Sequence, residues 1–337
     1  MRAAVFQKAG RPLSIETIPD PVPSRDELIL QVHRCGICGT DLHMTDGHAA
    51  TYAENSVLGH EFAGEVIAMG LGVENYKIGD AVSGLAIHGC GHCANCVGGE
   101  PMWCEQGFRP AMGGFGQYVA VKALAAIKLP ATLSLTDGAL IEPLAVGLHG
   151  VGLAGAHPGS RVLVLGTGAI GLAAAFWARR FGVSRIAVAS RTSRNEERAF
   201  QMGASHFATF GGDFAGNIRE ALGGAPDVVF ECIGVPGMLS EAVEIVRPRG
   251  SIMLLGNCML PDTLLPSMVV LKELKVQGSM VYSRHEFEIV ADVLDAGHLE
   301  PRSLVTDTVS LDVLPEVFES LRSPTYQCKT LVDPWSK

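Results

Sequence analysis

RCGICGTDLH, residues 34–43, sets two cysteines, a threonine, an aspartate and a histidine within ten positions. The pair Cys35 and Cys38 could be a redox disulfide, a structural zinc clip or one anchor of a reactive metal, and the C-x-x-C spacing leaves all three open. A second cluster, GCGHCANCVGGEPMWC, puts Cys90, Cys93, Cys96 and Cys104 in the pattern C-x2-C-x2-C-x7-C. Four thiolates from one loop close a tetrahedral zinc site at about 2.3 Å per bond, with no position left for a substrate, so the expected role is structural. The rival, an iron–sulfur cluster, lacks its usual x3-C-P ending here.

RVLVLGTGAIGLAAAFWARRFG carries Gly166, Gly168 and Gly171 as G-x-G-x-x-G, after a Val/Leu strand and at the head of an alanine-rich helix. Gly166 permits the tight turn, Gly168 lets backbone approach a pyrophosphate, and Gly171 allows close helix packing. Without that strand and helix the motif would be only a glycine-rich turn. An NAD-binding unit usually presents Asp or Glu about 20 residues further on. Here the second strand, RIAVAS, ends at Ser190, followed by Arg191 and Arg194. A carboxylate would repel a 2′-phosphate, whereas a hydroxyl with two guanidiniums would bind it, so NADP(H) is expected over NAD(H). The alternative is that both arginines are solvated surface charges. Ala169 and Ile170 inside the motif, and Leu255, Gly256, Asn257, Ser279 and Met280 after two later strands, complete the expected cofactor contacts.

These groups need two kinds of scaffold. Residues 1–145 hold short β-type runs, such as ELILQVHRCG and GEVIAMG, punctuated by Gly, Pro and Asp. Residues 146–282 alternate strand and helix patterns, which predicts a doubly wound parallel sheet. Two amphipathic stretches within 283–337, HEFEIVADVLDAG and LPEVFESLRS, are spaced to dock back onto the first domain. The expected fold class is α/β, with a mainly β domain (1–145 and 283–337) and a doubly wound cofactor domain (146–282).

A chain of 337 residues that is 47% hydrophobic is long enough for two domains. Its net charge of -9, from 26 basic and 35 acidic residues without long like-charge runs, argues against a nucleic-acid groove or an anionic membrane surface. The expected partner is a small molecule. The N-terminus lacks a signal-peptide core, and the apolar run VLVLGTGAIGLAAAFWA at 162–178 is broken by glycines, so a cytoplasmic protein without a membrane span is expected. In that compartment nine cysteines read as ligands or buried thiols. Cys232, Cys258 and Cys328 stand in apolar surroundings and are expected to be buried.

Taken together, Cys38, the run GHEFAGEVIAMG at 59–70, the four-cysteine loop and G-x-G-x-x-G resemble the zinc-dependent medium-chain alcohol dehydrogenases over essentially the whole chain. The branch of sorbitol, threonine and butanediol dehydrogenases looks nearest. The resemblance implies a GroES-like catalytic domain, a Rossmann cofactor domain, and one catalytic and one structural zinc per subunit. It makes Cys38 and His60 ligands of the catalytic zinc, with Glu61 and Glu142 as the carboxylates, one on the metal and the other on its water. Binding both would leave the site anionic and a poorer Lewis acid. It makes Asp41 the acceptor for the free ring nitrogen of His60, and Thr40 and His43 a proton relay. It puts Lys329 near the pyrophosphate. Cys35, His33, His48, His88, His92, His149 and His285 gain no role.

The implied reaction passes a hydride between a carbinol carbon and C4 of the nicotinamide while the relay moves the alcohol's proton. Sorbitol dehydrogenases carry a tyrosine and an arginine where this chain has Met44 and Val281, although Tyr282 is kept. Apolar groups there would leave a polyol's hydroxyls unpaired, so a less hydroxylated secondary alcohol and ketone, or an aldehyde, is expected. The alternatives are an NAD-dependent polyol or amino-alcohol dehydrogenase, or a catalytically silent nucleotide-binding protein on this fold. The resemblance also implies a homodimer or homotetramer.

Overall fold

The computed structural model describes residues 1–47, 51–323 and 326–337; His48 lies outside them. The chain divides into two compact units, Met1–Glu142 with Tyr282–Lys337, and Pro143–Val281.

The first unit is built on a seven-stranded, mostly antiparallel sheet. Its order is Ala126–Lys128, Ala81–Gly84, Glu61–Met69, Glu27–Gly36, Lys329–Asp333 and Val305–Ser310, with Tyr118–Lys122 also pairing Glu27–Gly36. The ten-residue strand Glu27–Gly36 is the hub, and its Leu28, Leu30 and Val32 are fully buried. Register sets Glu61 opposite Gly36 on one side and Leu331 opposite Gly36 on the other. Arg2–Phe6 joins Ser14–Thr17 and Ser56–Val57 in a second, three-stranded sheet. The late helices, Arg284–Asp295 and Leu314–Ser320, both return to this unit, and each buries an apolar stripe led by Phe287 and Phe318.

The second unit is a six-stranded parallel sheet in the order His206–Thr209, Arg185–Ser190, Arg161–Leu165, Val228–Glu231, Ser251–Leu254, Lys275–Gly278. Numbered along the unit this is 3-2-1-4-5-6, the doubly wound order whose reversal falls beside the first strand. Val162–Leu165 and Ile186–Ala189 are wholly buried, as expected of central strands covered on both faces. The last strand is the exception: all four residues of Lys275–Gly278 are exposed, along a sheet edge that no other strand among the described residues pairs with.

A 20-residue helix, Leu135–Ala154, contains Pro143 and links the two units in sequence. The sequence pattern gave no helix there. Most of its residues are buried irrespective of position, so no 3.6-residue stripe marks it. No helix among the described residues is long and apolar enough to cross a membrane. Cys232, Cys258 and Cys328, expected to be buried, are only partly so.

Candidate metal and cofactor sites

Cys38 stands immediately before the short helix Gly39–Met44, which carries Thr40, Asp41 and His43. Asp41 is completely buried, and its Oδ2 accepts the Cys38 amide at 3.1 Å. Its Oδ1 lies 3.3 Å from His60 Nδ1 and accepts the Tyr52 hydroxyl at 3.4 Å. One carboxylate therefore fixes the cysteine backbone and the imidazole together. Thr40 is half-buried and His43 is exposed. One ligand atom from each of Cys38, His60 and Glu61 lies within 4.8 Å of the others.

Glu142 lies outside that trio but within its electrostatic reach. Burial pushes its carboxyl up to about 7; His60 and Lys329 pull down, Glu61 pushes up, and a hydrogen bond from Tyr282 pulls down. Tyr282 is itself buried, and its oxygen accepts the Ala86 amide at 3.0 Å. Burial and the neighbouring Glu142 both drive the Tyr282 pKa upward, so the phenol stays protonated and donates.

Glu61 is differently held. Lys329 Nζ donates to both its oxygens, at 2.7 and 2.6 Å, and to the Ile37 carbonyl at 3.0 Å. All three ammonium donors are thereby used, which corrects the expectation that Lys329 serves a pyrophosphate. Gly36, on the strand between them, makes room: a Cβ there would sit 1.9 Å from Glu61 Oε2. Burial disfavours charge on both Lys329 and His60, but Glu61 and Asp41 respectively outweigh it and raise both pKa values.

The donor set fits a divalent cation. The Cys38 thiol, the His60 imidazole and the Glu61 carboxylate stand close enough to share one ion, with the Glu142 carboxyl near them, and three protein ligands leave a catalytic zinc an open position. Charge agrees as well: a thiolate and one carboxylate balance a divalent metal, and Lys329 balances the charge of Glu61.

The four cysteines form the other cluster, flanked by the hairpin of Ile87–His88 with Arg109–Pro110. Cys90 and Cys96 sulfurs lie 3.9 Å apart, close to the edge of about 3.8 Å of a tetrahedron with 2.3 Å arms. An iron–sulfur cluster would hold its thiolates farther apart. Backbone amides point at the sulfurs, Cys90 N on Cys104 at 3.3 Å and Cys93 N on Cys90 at 3.4 Å. Amide donors from Cys96 and Glu105 lower the Cys93 pKa to about 6. Cys35 is a fully buried thiol facing Gly59 and Gly114. A 660 Å³ cavity elsewhere in the unit, bounded by Tyr76, Leu85, Ile127 and Arg284, includes none of Cys38, His60, Glu61 and Glu142.

In the second unit the expected cofactor residues gather at the carboxyl ends of the parallel strands, where open α/β sheets bind ligands. Gly166 follows Leu165 with φ +111, and a Cβ on Gly171 would stand 2.2 Å from the Gly166 carbonyl. Gly168, at the amino end of the helix Ala169–Arg180, faces open space within 4 Å of its missing Cβ. Ile170 and Ala169 form the first turn of that helix. Thr167 Oγ1 donates to Ser190 Oγ at 3.1 Å, and Asn195 Nδ2 donates to the Thr167 carbonyl at 3.1 Å. The loop bearing Arg191 and Arg194 is thus tied to the glycine loop, with both arginines exposed. The Leu255 and Gly256 amides both donate to the Glu231 carbonyl at 2.8 Å, which brings Asn257 beside Gly234. Ser279 has a buried hydroxyl without a partner, and Met280 beside it is exposed. An open glycine turn and an orphaned hydroxyl at one sheet end fit a dinucleotide.

Sequence reasoning missed Tyr52, Tyr282 as partner of Glu142, and the engagement of Lys329. A lysine heading a buried strand, KTLVD, was the available signal for the last.

Comparison with known proteins agrees with this geometry. Residues 24–131 match the alcohol dehydrogenase GroES-like domain, and residues 169–296 match the zinc-binding dehydrogenase domain. The sorbitol dehydrogenase of Bacillus subtilis is 32% identical over 99% of this chain and 97% of its own length. A Sinorhizobium meliloti protein, named as a candidate zinc-binding dehydrogenase and solved with NADP, superposes with a TM-score of 0.89 at 31% identity, covering 99% of both chains. The rspB protein of Escherichia coli CFT073, solved with NADH, gives 0.89 at 29% identity, again over 99% of both. Fold and donor set define a zinc-dependent dehydrogenase that uses a nicotinamide cofactor. The chain belongs to the zinc-dependent medium-chain alcohol dehydrogenase family, oxidoreductases that act on CH–OH groups.

Proposed function

We propose that the chain is an NADP(H)-dependent alcohol dehydrogenase and carbonyl reductase acting on a secondary alcohol and ketone or an aldehyde. The observation that carries the catalytic part is the meeting of Cys38, His60 and Glu61, with buried Glu142 within reach of their charge and Glu61 already neutralised by Lys329. In this reading Cys38, His60 and Glu142 hold the catalytic metal, and Glu61 is the reserve carboxylate. Bound zinc would supply Lewis acidity to the substrate oxygen, and the nicotinamide would take or give the hydride. The chain does the rest. Asp41 holds His60 Nδ1 and leaves Nε2 for the metal, Tyr282 orients Glu142, Thr40 takes the substrate proton, and exposed His43 hands it to water.

Ser190, Arg191 and Arg194 support NADP(H), because hydroxyl and guanidinium favour a 2′-phosphate where a carboxylate would repel it. Met44 and Val281 support a substrate with few hydroxyls. The second reading, an NAD-dependent polyol dehydrogenase, is favoured by the 32% identity to a sorbitol dehydrogenase. One experiment separates them: kcat/KM for NADPH and NADH with a panel of ketones and aldehydes, and for NADP and NAD with secondary alcohols, sorbitol and xylitol. Better turnover of sorbitol or xylitol, or preference for NAD, would overturn the corresponding half of the proposal.

Self-association into a dimer or tetramer belongs to the same reading. It is supported by the unpaired edge Lys275–Gly278 with exposed Val270, Leu271 and Met280 nearby in sequence. Cytoplasmic residence is part of it too, resting on cysteines gathered as metal ligands rather than disulfides.

A further inference from the structure

The short helix Gly39–Met44 has six residues, too few to be stable alone, and its last carbonyls need partners. One comes from far along the chain. Arg322 Nη1 donates to the Leu42 carbonyl at 2.5 Å, and Nη2 donates to Thr45 Oγ1 at 2.8 Å. Buried Thr45 in turn donates its hydroxyl to the Asp41 carbonyl at 2.8 Å. Glu319 holds the guanidinium in place, accepting from Nε at 2.8 Å and from Nη2 at 3.2 Å.

A second line of contact leaves the same guanidinium. It stands 5.5 Å from the ring centre of Phe318, which meets Phe115 edge-on at 6.4 Å, and both rings are fully buried. Phe115 presses on Gly59, where a Cβ would lie 2.6 Å from Cδ1. Gly59 precedes His60. A column of one guanidinium and two rings thus runs from the end of the helix that begins after Cys38 to the residue before His60.

We propose that Arg322 is a positioning residue for the metal site, fixing the carboxyl end of the Gly39–Met44 helix and, through Phe318 and Phe115, the spacing of Cys38 and His60. It touches neither metal nor substrate. The role needs a planar fork that reaches two acceptors at once, which lysine cannot copy. The kinetic consequence rests on the proposed dehydrogenase reading; the metal and exchange consequences do not.

The test compares wild type, Arg322→Ala and Arg322→Lys as full-length protein. Zinc affinity is read by chelator competition, kcat and KM by cofactor oxidation, and amide exchange by mass spectrometry. In Arg322→Ala the Cys38 site is expected to bind zinc about 10-fold more weakly, with the four-cysteine zinc retained. Exchange should quicken across residues 41–45 but not in the strand Arg161–Leu165. kcat should fall about 10- to 100-fold with cofactor KM nearly unchanged, and millimolar guanidinium should restore part of it. Arg322→Lys should show the same pattern more weakly and without rescue, and it decides the matter if the alanine variant fails to fold. Unchanged zinc affinity and exchange at 41–45 in a folded variant would overturn the proposal, as would equal weakening of both zincs in Arg322→Lys. A wild type that binds both zincs yet turns over no alcohol or carbonyl would refute the dehydrogenase reading alone, with zinc affinity and exchange still judging Arg322.

Discussion

Lys329 and Glu61 form an ion pair across the glycine strand end at Gly36, with Nζ 2.6 and 2.7 Å from the two carboxylate oxygens and neither side chain more than 3% exposed. Removing one partner strands the other charge in a dry interior. Lys329→Met is therefore expected to cost about 3–5 kcal/mol in denaturant unfolding. The double variant Lys329→Met, Glu61→Gln should cost less than Lys329→Met alone. A double variant as unstable as the sum of the singles would mean that the two groups do not act as a pair.

Asp41 makes its own demand on charge. Asp41→Asn keeps the shape but weakens the grip on His60 Nδ1 and on the Cys38 amide. Zinc affinity at the Cys38 site should fall roughly 10- to 100-fold while the four-cysteine site is untouched. Metal content after dialysis against a weak chelator reads this directly: two zincs per chain in wild type should become one.

Cofactor choice should turn on three residues. Ser190→Asp places a carboxylate where the 2′-phosphate is proposed to sit, and should lower kcat/KM for NADPH by about 100-fold or more while sparing NADH. Arg191→Ala and Arg194→Ala should each lower only the NADPH value, by about 10-fold. Equal losses with both cofactors would mean that the arginines serve the fold rather than the phosphate.

Acid stability should report on Asp227. It accepts from the Arg161 amide at 2.8 Å and Nε at 3.0 Å, and from Arg247 Nε. Partial burial alone would raise its pKa, but the two arginines outweigh it and hold the carboxyl far below the usual range. A depressed folded pKa contributes stability that is complete above the unfolded value of about 3.9 and is lost as pH falls toward the folded one. Wild type should thus lose stability below about pH 4, and Asp227→Asn should be weaker at pH 7 with a shallower acid slope. Parallel slopes in urea titrations at several pH values would contradict this.

What the sequence made legible was local. Gly166, Gly168 and Gly171 sit between a strand and a helix that are themselves readable, and four cysteines in one loop need no distant partner to be understood. The resemblance supplied Cys38, His60 and Glu142, which no spacing rule joins. Helix Leu135–Ala154 was hidden because it is apolar on nearly every face and has a proline beside Glu142. The partners of Glu61 and Glu142 were hidden for another reason: Lys329 and Tyr282 meet them over 268 and about 140 residues of chain, beyond any local pattern.

The bare edge of the six-stranded sheet has a practical side. Lys275–Gly278 offers unpaired backbone donors and acceptors beside exposed Val276, and such a row templates any extended chain that meets it. Its shortness and the charge of Lys275 limit that risk without removing it. Where concentration or temperature leaves the edge uncovered, aggregation should start there, and loss of material on storage should respond to a second lysine at Val276 more than to any change at the metal site.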